Sequence, residues 1–379
     1  MTTHVFIVDE NTFSLHLKYL FAGTGAKSYV PTFINQANTK TSPLQEKLLT
    51  SMLADCARIR KNDLAVFYLQ AKAGNEGRFY GIFKIDSPPF LDLGGSKQYL
   101  SNVGLKKILP FRVKLSPFKV YSQGISEWDA LDNILGLTSP NQMIWSLIYR
   151  KLRGNRGNTM ITLYESDRLV HLLSIKNSSQ ALSGNSFVFD PITRVIQKSS
   201  HHHKYSGATT QINILPRLIN RINNHLAHEA HLQAYIMSDL ENNQSLLKAL
   251  GIDKRYIKWI GNEVACGVGM QKIDVLIQED KPDLEKTLYV IELKDDYSEP
   301  DNITQIHKYV QWITQYYYPH QYCRVQPILI SRKPHRPRSP IKATLLNNEI
   351  KQFNQSTPDY CFPIKLIEYS VVNNNIDFQ

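Results

Sequence analysis

The chain has 379 residues, with 44 Lys and Arg against 33 Asp and Glu and a formal charge of +11. That length exceeds one ordinary core and implies two or three domains, while 42% hydrophobic and 20% charged residues, with no apolar run of bilayer length, exclude a membrane-spanning chain. The cationic surplus favours a polyanionic partner through phosphate neutralisation and counterion release, although a merely soluble basic protein has the same composition.

The opening stretch MTTHVFIVDE has no basic region followed by an apolar core, so it reads as an immediate strand and not as a secretory signal. Cys56, Cys266, Cys323 and Cys361 stand singly, without a CxxC pair or zinc-ligand spacing, and fit a reducing, cytoplasmic interior. His4–Asp9, Asp63–Leu69, Arg78–Asp86 and Phe111–Tyr121 alternate as strands do and are rich in Val, Ile, Phe and Tyr. A helix is expected near Pro43–Cys56. Together these predict a small curved sheet or partial barrel. The order VFIVD, RKNDLAVFYL, RFYGIFKI and PFRVKL resembles the PUA-like superfamily, in particular its EVE/YTH-type branch, over the first third of the chain.

Ser126–Leu152 turns helical and ends in the basic, glycine-rich piece RKLRGNRGN, with Arg150, Lys151, Arg153 and Arg156. Such a piece is either a DNA-contacting loop or a solvated helix end. Ser178–Ser206 is Ser-rich, contains His201–His203 and reads as an exposed linker. The expected layout is therefore a first domain over 1–177, a linker over 178–206 and a second domain over 207–379.

In the second domain Leu226, Glu229, Leu232, Ile236 and Leu240 fall near one helical stripe, which sets Glu229 on a face otherwise turned to the core. QKIDVLIQ (Gln271–Gln278) and TLYVIELK (Thr287–Lys294) predict two strands joined by the polar EDKPDLEK, a hairpin pair. Asp301 or Asn302 caps a predicted helix to Tyr317, whose Ile303, Ile306, Val310, Ile313 and Tyr317 form a buried stripe while Gln305, Tyr309 and Trp312 share another face. The strand Val325–Ile330 follows. After it, Arg332–Pro340, which carries Arg332, Lys333, Arg336 and Arg338, reads as an extended loop lying along DNA or in solvent.

Strand residues two apart point the same way, so Glu292 and Lys294 share a side and Leu293 takes the other. Alone they read as a surface ion pair. Asp274, however, also interrupts an apolar strand, and two carboxylates brought together in a hairpin raise a pKa unless a cation settles them. A hard divalent ion does so: magnesium takes oxygen ligands and needs only one or two carboxylates, here Asp274 and Glu292, with the Leu293 carbonyl as a further oxygen. Lys294 would then serve a water or the scissile phosphate, Glu229 would approach from its helix, and Gln305 would hydrogen-bond the phosphate or fix Lys294.

HEAHLQAYI, QKIDVLIQ, YVIELKDD and ITQIHKYVQWI resemble the successive motifs of the PD-(D/E)xK nuclease superfamily, in the RecB-like branch of the NucS/EndoMS type. Position by position, the resemblance implies Glu229 as the helix glutamate, Asp274 and Glu292 as metal ligands, Lys294 as the lysine, and Gln305 with Tyr309 as the QxxxY pair. The implied fold is α/β, α+β overall: a mixed sheet flanked by helices behind a PUA/EVE-like small barrel. The implied activity is Mg²⁺-dependent DNA endonuclease, with Mn²⁺ able to substitute, acting on double-stranded DNA as a homodimer and away from membranes. A PUA-like front end resembles restriction or genome-defence enzymes that read a site or a flipped, modified base, with Tyr68, Phe79 and Tyr80 as pocket candidates or as core. The alternatives are a mismatch- or structure-specific repair nuclease and a nucleic-acid-binding protein with a non-catalytic nuclease scaffold.

Overall fold

A computed structural model describes residues 1–25, 31–72, 74–93, 98–132, 136–144, 157–266, 271–282, 285–317, 323–335 and 338–379. The chain is α+β and forms two units, one of Met1–Thr32 and Thr41–Ile212, the other of Phe33–Lys40 and Asn213–Gln379. Among the described residues no helix is long and apolar enough to cross a membrane, and the four cysteines are all free.

The first unit is built on β1 (Thr3–Val8), β2 (Phe21–Thr24), β3 (Leu64–Leu69), β4 (Arg78–Ile85), β5 (Phe90–Leu91), β6 (Phe111–Pro117), β7 (Ile125–Ser126), β8 (Asn158–Ile161), β9 (Phe187–Asp190), β10 (Val195–Lys198) and β11 (Thr210–Gln211). Its helices are α1 (Glu10–Tyr19), α2 (Pro43–Ala57), α3 (Glu127–Asp132) and α4 (Leu163–Lys176). Nine strands make one curled sheet of order β11-β5-β6-β4-β3-β1-β8, with β2 on β6 and β7 on β4. Period-two alternation gives the sheet two apolar faces. Phe6, Val8, Phe67 and Phe83 pack on one side with Phe13 of α1, and Val5, Val66, Tyr68 and Phe79 on the other with Leu169 and Leu173 of α4.

The predicted linker contains a β-hairpin, and its sequence shows why. Phe187, Phe189 and Ile196 alternate along β9 and β10, which pair antiparallel, and all three join the first of those clusters. Their apolar burial outweighs the Ser-rich flanks, so 178–206 belongs to the first unit. Among the described residues the predicted helix over Ser126–Leu152 resolves into β7, α3 and a 3₁₀ turn at Pro140–Gln142; residues 133–135 and 145–152 lie outside the described residues.

The second unit comprises α5 (Leu215–Asn223), α6 (Glu229–Asp239), α7 (Gln244–Leu250), β12 (Ile257–Cys266), β13 (Gln271–Glu279), β14 (Lys286–Leu293), α8 (Pro300–Trp312), β15 (Cys323–Arg332), α9 (Pro340–Ser356), β16 (Lys365–Val372) and β17 (Asn375–Phe378). The six strands lie in chain order in one mixed sheet, parallel across β14–β15–β16 and antiparallel elsewhere. The parallel pairs require crossovers, supplied by α8 and α9. Helix α8 starts at Pro300, earlier than the predicted cap, and gives way to a π turn at Ile313–Tyr317; its predicted stripe of Ile303, Ile306, Val310, Ile313 and Tyr317 is buried. Residues 33–40 belong to this unit because Arg217 of α5 donates to the carbonyls of Ala37 and Thr39, each at 2.8 Å, and covers the Phe33 ring.

Phe187 is fully buried, so Phe187→Ala should destabilise the first unit by roughly 3–5 kcal/mol. Urea denaturation of the full chain measures this; an unchanged midpoint would return 178–206 to the role of a linker.

Candidate functional site

The site rests on the pairing of β13 with β14. Val275 pairs with Ile291 and Leu276 with Val290, and one register step further sets Asp274 opposite Glu292 on one face of the sheet. The apolar neighbours Ile273, Val275, Val290 and Ile291 are completely buried, so the register is fixed by what flanks the acids. Glu292 is 1% exposed. Its Oε1 accepts from the Lys294 ammonium at 2.6 Å, whereas its Oε2 is buried with no hydrogen-bond partner. Asp274 Oδ2 accepts the Leu293 N–H at 2.8 Å.

Lys294 extends the strand beyond its last paired residue, its N–H donating to the carbonyl of Ile330 on β15 at 2.9 Å. The ammonium also reaches Glu229 Oε1 at 3.0 Å, and so bridges the strand acid and the helix acid. Glu229 is the first residue of α6, where a helix N-terminus favours a carboxylate. Its side chain is 45% exposed, and Leu226, which precedes the helix, is 53% exposed. The expected core-facing stripe therefore begins only at Leu232, and Glu229 sits at the rim of the site.

The electrostatics follow the geometry. Burial and then the Glu292 charge push the Asp274 carboxyl well above the usual carboxylate range, against the Leu293 N–H and Lys294. Burial also raises Glu292, although Lys294 opposes it. Burial works against the Lys294 charge, but Glu292 and then Glu229 outweigh it and hold the ammonium above its ordinary range.

Gln305, on α8, donates to the Tyr309 hydroxyl one turn later and not to Lys294. Tyr309 is 1% exposed, and burial followed by the Glu292 charge raises its pKa. Gln305 thus joins the site through Tyr309. Two polar residues absent from the sequence reading hold the frame. Gln233, one turn after Glu229 on α6, donates to the backbone carbonyl of Asp274 at 2.9 Å and accepts from Asn262 of β12 at 3.2 Å. Both are buried. The i, i+4 spacing of Glu229 and Gln233 was the available signal.

Among the described residues no group of three or more His, Cys, Asp and Glu side chains forms a complete metal cluster. An opposed pair of carboxylates suits magnesium, which keeps several waters and takes one or two protein carboxylates, and the unanswered Glu292 Oε2 is an oxygen such an ion would satisfy.

The chain matches no family model and no curated protein. Among solved structures, the human THYN1 protein in complex with 5-methylcytosine-containing DNA aligns at 10% identity over 46% of this chain and 98% of that one, with a TM-score of 0.26. A likeness at that level decides neither fold nor function.

Of the other expected site residues, Tyr68, Phe79 and Tyr80 are 4%, 2% and 0% exposed. They divide between the two faces of the first unit's sheet, with the Tyr68 hydroxyl on Glu127 and that of Tyr80 on the Arg194 carbonyl. They are core and do not line one pocket. Arg150, Lys151, Arg153, Arg156 and Arg336 lie outside the described residues. Lys333 donates to Gln379, and Arg338 donates to Ser298 and pairs with Glu368 at 3.5 Å. Arg332 has a different setting, taken up below.

Because the folded carboxyls of Asp274 and Glu292 titrate above their unfolded range, the folded protein binds the extra protons, and stability falls as pH rises from the ordinary carboxylate range toward the raised folded values. Asp274→Asn keeps an acceptor for Leu293 N–H and removes one charge. At neutral pH without divalent ions it should stabilise the protein by about 0.5–2 kcal/mol and flatten that slope; a lower melting midpoint than wild type would contradict the crowding of the two acids.

Proposed function

We propose that the chain is a magnesium-dependent DNA endonuclease of restriction or genome-defence type, with the second unit as the nuclease and the first as the reader of the site. The observation that carries this reading is the bridging of Glu292 and Glu229 by the Lys294 ammonium, at 2.6 and 3.0 Å, beside Asp274, which stands opposite Glu292 in the hairpin. A catalytic acid-lysine pair needs the lysine fixed but solvent-reachable, and Lys294 keeps 19% of its side chain exposed.

Asp274 and Glu292 would hold the ion, with the Leu293 carbonyl as a further oxygen, since a strand residue sends its N–H and C=O toward the same side and the N–H already points to Asp274. Bound there, magnesium would supply Lewis-acid polarisation of the phosphate and a more acidic water. Lys294, held between Glu292 and Glu229, would steady charge developing on the scissile phosphate. Glu229, half exposed at the rim, orients the attacking water. Gln305 is fixed on the Tyr309 hydroxyl and would offer its amide to the substrate phosphate. Cleavage of both strands calls for two such sites, which a two-fold dimer supplies most simply.

The test uses the full-length protein with Mg²⁺ and plasmids that are unmethylated, methylated or mismatched. Discrete products from any of them that vanish with EDTA and fall by about 10²-fold or more in Lys294→Ala support the nuclease reading. Which plasmid is cut separates sequence-specific restriction, restriction of modified DNA and repair. Equal cutting by Lys294→Ala, or none by wild type on any substrate, would falsify it.

A further inference from the structure

Arg332 ends β15, and its N–H donates to the Asp296 carbonyl beyond the end of β14. Its guanidinium lies 3.5 Å from His225 Nδ1 and 3.3 Å from His335 Nε2, and the two imidazole rings face each other edge-on with centroids 6.4 Å apart. One Nη also donates to the carbonyl of Ile222 near the end of α5. Among the described residues no carboxylate lies within ion-pair distance of Arg332, in contrast to Arg338 with Glu368. The two histidines are exposed and Arg332 is partly so. A cation and two imidazole rings thus converge at the surface, with Asp295, Asp296 and Glu229 in the neighbourhood but none of them ion-paired to Arg332.

The position of the cluster gives it meaning. His225 lies four residues before Glu229, in the turn that joins α5 to α6. It adopts φ +56° where α5 ends, with Leu226 N–H bonded back to the Arg221 carbonyl, a helix stop that ordinarily takes glycine. Leu293 pairs with Ile330, two residues before Arg332, and the Lys294 N–H donates to the Ile330 carbonyl at 2.9 Å. The cluster therefore sits beside the edge that carries Lys294. We infer that Arg332, His225 and His335 form a phosphate clamp that grips the DNA backbone next to the scissile bond. Arg332 supplies the planar fork that matches a phosphate, and the two rings flank it as further donors.

This rests on DNA being the substrate of the proposed nuclease, but its test needs no cleavage. Binding of the full-length protein to a DNA duplex is measured by fluorescence anisotropy in EDTA across a salt series. In Arg332→Gln the slope of log affinity against log salt should become shallower by about 1, with affinity down about tenfold. Because Arg332 also caps α5, the His225→Gln/His335→Gln double variant, which keeps that bond, gives an independent reading and should bind about threefold or more weakly. Arg324→Gln, at the far end of β15 and paired with Glu285, should leave the slope as it is. Wild type that does not bind duplex, or wild-type slope and affinity in both variants, overturns the clamp. If inorganic phosphate shifts the His225 and His335 ring resonances while neither variant changes DNA affinity, the site takes a free anion and the DNA assignment fails. A protein that binds in the predicted way but never cuts overturns the nuclease reading and leaves the clamp standing.

Discussion

The opposition of Asp274 and Glu292 across β13 and β14 sets the terms for everything around it in the second unit. Two like charges about 4 Å apart at an effective dielectric near 20 repel by about 4 kcal/mol, more than a typical surface ion pair returns. Three features meet that repulsion: the Leu293 N–H on Asp274, the Lys294 ammonium on Glu292, and burial that raises both carboxyls toward protonation. None of them reaches Glu292 Oε2. The surrounding apolar strands cannot relieve the crowding by slipping, because a one-residue shift of β13 would carry Asp274 to the other face, which Ile273, Val275 and Ile291 keep fully buried.

The change of strand direction within the sheet gathers the remaining groups. β14 pairs antiparallel with β13 and parallel with β15, so the end of β14 brings together Asp274 from its antiparallel neighbour, its own Glu292 and Lys294, and the end of β15 with Arg332. Crevices outside the carboxyl ends of parallel strands are where open α/β sheets carry ligands. Helix α6 adds Glu229 to this edge because Gln233 ties it to the Asp274 backbone and Asn262 holds Gln233. Loss of that amide bridge would free the helix to withdraw Glu229 from Lys294 without touching either charged group.

Much of the second unit was legible because its signals are periodic. The β13–β14 hairpin, the shared side of Glu292 and Lys294 and the apolar stripe of α8 follow from periods of two and 3.6. The periodicity places Glu229 on the right helix but in the wrong environment, because Leu226, which opens the expected stripe, precedes the helix. Gln233 and Asn262 escaped notice because pattern reading sends amides to the surface, and only tertiary contact shows that they satisfy each other inside. The β9–β10 hairpin is hidden for the opposite reason: its short apolar runs, FVF and VI, lie in a Ser-rich stretch that reads as a linker, yet Phe187 and Ile196 are fully buried.

The packing of the first unit limits how it could serve the DNA reading proposed for it. Among the described residues α1 and the β9–β10 hairpin pack on one side of its sheet and α4 on the other, and Tyr68, Phe79 and Tyr80 are part of those cores. A base could not stack on these rings without displacing about 1.5–3 kcal/mol of packing for each side chain. The exposed aromatics lie elsewhere: Trp128, on α3, is 56% exposed and Phe118, just after β6, is 50% exposed, with Lys119 over the Phe118 ring. An exposed ring beside a cation suits a stacked base and its phosphate far better than a ring sealed in a core does.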